Sequence, residues 1–357
     1  MAGTGIVTSS PFPRVSRWGG CLLLLLAAGS LPAQSRDQVV FRQPDGRGRL
    51  ARTGTIIEYD AVELVLKSRI GGQIWKIPAA RIVSVNSTRI PVHDEALKRL
   101  ERGEIPEARA AFRLALDQAS RRWVRGELLA GLVRCALHEG DYQRAGSQFL
   151  NLCDSTPRSR HFELAPLDWY IGGTTAAAVA GEARAWRGRK GDVARLLAAS
   201  HLLRDRTFGA EAENEIRRLR ISTDSRVRGL AIAQSWRIEL RRGEVSAARL
   251  DEWLRQARDL PGSQRGGPWF VIGLARVKRR RFQSAASAFL WTSLVFRSDH
   301  HLAARATQHA ADALLADNQT SAARTLYRDL ASRFPGTPAA REAAPRENPP
   351  RRRRTSP

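Results

Sequence analysis

The spacing of apolar residues changes once along this chain, from a period of about two to a period near 3.6. Between Gln38 and Arg89 the apolar positions alternate or form short runs, over residues 39–41, 50–59, 62–66, 73–77 and 82–85. Pro44-Asp45-Gly46, the Gly71-Gly72 step and Pro78 punctuate these runs as turn residues do, which predicts five short strands with a hairpin at Gly71-Gly72. From Asp94 onward the pattern is helical, with Asp94 placed to cap residues 95–101. Helices are predicted at 105–119, 121–138 and 142–154, at 174–187 and 192–203, then at 211–220, 225–241 and 245–258. Pro166, Trp169, Tyr170 and Gly172-Gly173 interrupt the pattern between 157 and 173, and a glycine-rich break covers 261–268. The pattern thus predicts a mainly α chain: a small all-β, barrel-like module at 38–90, then a helical domain at 94–338 that is irregular over 158–223.

Two successive helix pairs near the C-terminus share an offset of small and large residues. The first carries Trp269, Ile272, Gly273, Phe282, Ala285 and Phe289, and the second Ala311, Ala323, Tyr327, Leu330 and Pro335. A third set lies at Leu132, Gly140, Tyr142, Ala145, Phe149, Leu152 and Pro157. This register resembles the tetratricopeptide repeat. The resemblance implies an α-solenoid of antiparallel helix pairs whose stacked faces offer a groove to a partner. The segment from Gly54 to Ile82 is similar to small SH3-like or Sm-like β-modules that precede helical repeats in exported bacterial proteins. Residues 326–338 are similar to repeats in periplasmic assembly and cell-division coordinator proteins of Gram-negative bacteria, which implies work in assembling envelope complexes.

The two ends have compositions of their own. Arg14 and Arg17 precede a leucine-rich run from Cys21 to Ala28, and Gly29, Ser30 and Ala33 follow, the layout of a secretory signal over residues 1–33. Leu31 stands where a cleavage site prefers a small residue, so an uncleaved anchor is the alternative. No second apolar stretch approaches the length of a membrane span. Beyond Pro338 the chain turns to proline, glutamate and the run Arg351, Arg352, Arg353, Arg354, which predicts a disordered basic tail over 339–357. Together these features predict export to the periplasm, cell envelope or medium.

A formal charge of +24 ordinarily points to nucleic acid, but only five of the 59 basic residues are lysine, and export removes nucleic acid from reach. Anionic lipid, an acidic envelope polymer or an acidic protein are the partners such a surface suits. Cys135 and Cys153 fall at opposite ends of one helix pair, which predicts two buried free thiols.

No phosphate loop, zinc-ligand spacing, nucleophile elbow or dinucleotide fingerprint occurs. Asp299, His300, His301 and His309 form the one imidazole cluster, but Asp299 also suits a helix cap, so neither a metal nor a cofactor is expected. Trp269 and the helical tryptophans Trp123, Trp186, Trp236, Trp253 and Trp291 are expected in the core. Trp169 and Tyr170, in the irregular stretch, are candidate anchors for a protein partner, with Arg217, Arg218, Arg241 and Arg242 as candidate clamps for its carboxylates. The expected function is a non-catalytic, exported scaffold that holds a protein partner in its repeat groove. The alternative is a polyanion-binding protein acting through its arginine-rich surface and through Arg351 to Arg354.

Overall fold

The computed structural model describes residues 37–347 other than 244. The expected signal, the chain from 348 on and the Arg351 to Arg354 run lie outside the described residues.

Five antiparallel strands come first: β1 (Asp37–Arg42), β2 (Arg49–Tyr59), β3 (Glu63–Lys67), β4 (Ile74–Pro78) and β5 (Ile82–Asn86), in the order β4-β3-β2-β1-β5. β4 and β5 are opposite edges of the sheet, yet only the 3-10 turn Ala79–Arg81 joins them. The sheet must therefore curl until its edges approach. The bend falls in β2, which pairs with β1 up to Gly54 and with β3 from Thr55 onward. A Cβ at Gly54 would stand 2.3 Å from the Lys67 carbonyl oxygen, so only glycine lets the two backbones come this close. The hairpin foreseen at Gly71-Gly72 is present, with φ of 73° and 64°.

Three helices pack against the sheet: α1 (Pro91–Glu101), α2 (Ile105–Gln118) and α3 (Arg122–Glu139). Val39, Ile56, Leu64, Leu66 and Ile77 of the strands share one apolar core with Ala96, Phe112, Leu128 and Cys135 of these helices. Asp37 ties the two parts together. Its buried carboxylate accepts from Ile56 N (2.7 Å) and from Arg121 Nη1 (2.9 Å), and the Ser87 hydroxyl donates to it as well. α1 begins one turn before the expected Asp94 cap, at Pro91, because proline's fixed φ suits the first helical position.

The chain continues as α4 (Tyr142–Ser155), α5 (Ala177–Arg187), α6 (Asp192–Leu202), α7 (Gly209–Leu219), α8 (Ser225–Arg242) and α9 (Ala247–Asp259). Then follow α10 (Gly266–Lys278), α11 (Phe282–Val295), α12 (His300–Ala316), α13 (Thr320–Arg333) and α14 (Pro338–Glu347). Four of the helix pairs turn in the same way. At Gly103, Gly140, Arg280 and Asn318 the backbone adopts a left-handed conformation, φ between 56° and 76°. The next residue's N–H then bonds a carbonyl five positions back: Glu104 to Arg99, Asp141 to Ala136, Arg281 to Arg276 and Gln319 to Leu314, at 2.9–3.0 Å. This caps the last free carbonyls of the first helix and aims the second antiparallel to it. Arg280 holds this conformation without glycine's freedom, at a cost of roughly 1–2 kcal/mol.

Two expectations change. The chain is helical through Pro338–Glu347 rather than losing order after Pro338: Ala339 and Ala343 are buried against α12 and α13, and Arg305 of α12 pairs with Glu342 at 2.5 Å. Alanine supplies enough apolar contact there for a helix that a leucine-based pattern does not reveal. Trp291, expected in the core, is half exposed and stacks on Trp269 with ring centroids 6.3 Å apart. The helices foreseen at 174–187, 192–203 and 211–220 are present as α5, α6 and α7, which make up half of 158–223. Cys135 and Cys153 are buried free thiols in different cores, and burial pushes both up to about 12.

Candidate interaction site

The stretch between α4 and α5 is the one long connection among the described helices, and its middle, from Ser159 to Trp169, is largely buried. Phe162, Leu164, Leu167 and Trp169 are each at most 6 % exposed. The stretch makes only a few local backbone bonds, such as Leu164 N to His161 O (3.1 Å) and Leu167 N to Ala165 O (2.8 Å), so its other buried polar groups need partners from elsewhere. Helices α3, α6, α8 and α12 provide them, with Arg204 just after α6.

At the entry, Arg226 of α8 donates to the Pro157 carbonyl at 2.8 Å and lies over the Phe162 ring at 4.4 Å. Glu127 of α3 then receives His161 Nε2 at 2.8 Å and Arg160 Nη2 at 2.7 Å. Burial opposes ionisation of Glu127, but His161 and Arg160 outweigh it and hold the carboxyl at about 2. Burial likewise opposes charge on His161, yet its bonds to Glu127 and Glu163 raise it above 6.5.

Further along, Asp168 is the centre of a network (side chain 3 % exposed). Its Oδ2 accepts from Arg204 Nε at 2.7 Å and from Arg237 Nη2 at 3.1 Å. Burial works against its charge, and Arg237 and Arg204 still hold it below the ordinary aspartate value. The same two arginines bond the chain itself: Arg237 donates to the Tyr170 and Ser200 carbonyls, Arg204 to those of Gly172 and Thr174. Ser200 Oγ accepts from Asp168 N at 2.8 Å, Gln234 Nε2 donates to Asp168 O at 3.0 Å, and His201 Nε2–H donates to Pro166 O at 2.7 Å. Burial lowers His201 below the ordinary imidazole value, which suits this single-donor role. The segment is therefore held by side chains as an internal strap inside the helical path.

The helical path also meets itself here. The turn after α3 rests on the start of α12, where His138 stacks on His300 with centroids 4.0 Å apart. Tyr142 donates to Asp299 at 2.9 Å. Asp299 caps α12 through Leu302 N, and burial pushes its carboxyl up to about 6 despite these bonds.

The expected site residues are divided by this arrangement. Trp169 is buried against α10 at Gly267, where an added Cβ would sit 1.8 Å from the indole. Tyr170 lies at the edge of the strap and does face open space: with Ile171, Phe270, Leu274 and Val277 it lines a cleft of about 510 Å³, bounded by Arg204, Lys278 and Arg305. Arg217, Arg241 and Arg242 gather elsewhere, around Glu213 of α7, and Arg218 pairs with Glu215. The four arginines are thus brought together by α7 and α8, but with carboxylates between them and apart from Trp169 and Tyr170. The histidines do not converge with Asp299. His301 packs on Gly140, and His309 stacks on Phe289 at 5.3 Å. Among the described residues no group of three or more His, Cys, Asp or Glu is placed to hold a metal.

Sequence reasoning missed Asp168, Ser200, Gln234 and Arg237. The available signal was a polar residue inside an apolar helical stretch, as Gln234 and Arg237 are in α8.

The anchor at Glu127 has a pH signature. Glu127 is depressed in the fold, so its contribution is present above its unfolded value of 4.5 and is lost as pH falls toward about 2. His161 is raised, so its contribution is complete below 6.5 and fades as pH rises through its higher folded value. The stability lost in Glu127→Gln should therefore be largest between about pH 4.5 and 6.5 and smaller on either side. Melting curves of both proteins from acid to alkaline pH measure it; a flat difference would remove the His161–Glu127 pair from the account.

No protein-family model and no curated protein matches this chain.

Proposed function

We propose that this chain is a non-catalytic, exported interaction scaffold of tetratricopeptide-like helix pairs that binds a protein partner in the cleft beside Tyr170, and so serves cell-envelope assembly. The observation that carries the reading is the cleft itself: an apolar floor of Ile171, Phe270, Leu274 and Val277 within a cationic border. Such a lining matches the apolar anchor and polar rim of protein interfaces. The repeated left-handed turns at Gly103, Gly140, Arg280 and Asn318 support the kinship with helical repeats. The export half rests on the signal-like layout of residues 1–33. The convergence of Arg217, Arg241 and Arg242 on Glu213 weighs against reading that cluster as a free polyanion surface.

A photo-crosslinking residue at Leu274 in cells tests the cleft, with Ile221, 83 % exposed and not part of its lining, as control. Leu274 should trap a discrete partner that Ile221 does not, and Leu274→Asp should abolish co-purification of that partner. Equal trapping at both positions refutes the cleft. Fusing residues 1–36 to an enzyme active only outside the cytoplasm tests export separately.

A further inference from the structure

The sheet holds a second cleft, unrelated to the helical one. β2 and β3 are paired from Thr55↔Lys67 onward, but before that point they diverge. The chain after Lys67 turns away and closes on itself, through Ser68 N to Gln73 O (2.7 Å) and Ser68 Oγ to Ile70 O (2.8 Å). Residues Ala51, Arg52 and Thr53 of β2 therefore have β1 on one side and, among the described residues, no strand on the other. In an antiparallel ladder alternate residues point their N–H and C=O to opposite sides, so part of this stretch offers open backbone groups. The gap has a volume of about 560 Å³, within the range of ligand sites.

Its walls have a definite chemistry. Trp75 forms an apolar wall, with the Arg52 guanidinium over its ring at 5.1 Å. Ile70 stands at the mouth, 90 % exposed. Arg69 also lines the gap, and among the described residues no carboxylate does. The contrast with the cleft between α5, α6 and α7 is useful: there Arg184, Arg187, Arg195 and Arg218 meet Glu211 and Glu215 in the same lining. Among the described residues Arg52 and Arg69 make no ion pair, so no described carboxylate offsets their charge.

We propose that this gap binds an extended acidic peptide of a partner protein, which adds as a strand to β2 beside Ala51–Thr53. The peptide's backbone satisfies the open groups of β2. Its carboxylates meet Arg52 and Arg69, and an apolar side chain between them lies against Trp75 and Ile70. Open backbone groups select an extended polypeptide, the two arginines select acid, and the indole selects an apolar residue at alternate positions. The inference stands whether or not the helical cleft binds a partner.

The probe is a labelled octapeptide of alternating glutamate and valine, titrated into the full chain at low salt. Three companions go with it: the lysine–valine peptide, the same acidic peptide with alternate backbone nitrogens methylated, and a single-stranded oligonucleotide of similar charge. The acidic peptide should bind with a Kd below about 1 mM, and Arg52→Glu with Arg69→Glu should weaken it at least about tenfold. Both positions are exposed, so the double variant should keep the parent melting temperature. Methylation should abolish binding, because it blocks the added ladder. Absence of binding at about 1 mM, equal binding of the lysine or methylated peptide, or retention by the double variant would each overturn the proposal. Preference for the oligonucleotide would also overturn it, and would turn the gap into a polyanion site.

Discussion

Replacing Asp168 with alanine is expected to lower the melting temperature by on the order of 10 °C, the largest loss foreseen for any single side chain here. The reason is what stays behind. Arg237 is 2 % exposed in its side chain and Arg204 12 %. Without the carboxylate both guanidinium groups are left close together in a water-poor interior. Breaking a buried pair from one side costs about 3–5 kcal/mol, because the surviving charge has lost its compensation. Burial already lowers Arg237 to about 10, a sign of how much that charge depends on Asp168. Asp168→Asn separates charge from shape. It retains an acceptor for Tyr170 N, now 3.0 Å from Oδ1, but removes the negative charge. It should therefore cost nearly as much as alanine. Hydrogen exchange should show the strap opening in both variants, with amides at 168–172 losing protection before those of α10. A shift of less than about 3 °C for either variant would mean that the Ser200 and Gln234 side chains, through their bonds to the Asp168 backbone, hold the strap by themselves.

Gly267→Ala is expected to destabilise the protein by about 1–3 kcal/mol although it adds one methyl group to a helix. In an exposed helix that change would be favourable by about 1 kcal/mol. Here the new Cβ would lie 1.8–2.3 Å from three atoms of the Trp169 indole. The ring is rigid and buried, and the Asp168 network fixes the chain on either side of it. The methyl group must therefore displace the strap or the helix. Trp169→Phe alone leaves a void and costs stability in its turn. In combination the smaller ring makes room for the methyl, so the double variant should be less destabilised than the sum by about 1–2 kcal/mol. Chemical denaturation of the four proteins closes the cycle. Additive losses would show that Gly267 and Trp169 do not meet.

The helix pairs and strands were readable because each is a local pattern. Phe112, Phe149 and Phe289 recur on one face of their helices, and all three are buried. The alternation in β1 and β3 likewise puts Val39, Leu64 and Leu66 on the core face. Trp291 was misplaced because α11 is apolar nearly all round, so spacing alone does not say which side meets the core. Gly54 and Gly267 read as ordinary glycines, and what they accommodate is far away in sequence.

The amino-acid sequence by itself determined the element types, the turn from a β-rich start to a helical chain, the repeated pairing of helices and the position of the irregular stretch. Tertiary structure alone decided that this stretch runs inside the helices, that Asp168 joins Arg204 and Arg237 across separations of 36 and 69 residues, and that Arg217, Arg241 and Arg242 share Glu213. The division has one physical cause. Periodicity records which face of an element is buried, because every residue of that face contributes. A buried polar network depends on a few single residues, each unremarkable in its own helix, and its partners are set only when distant helices come together.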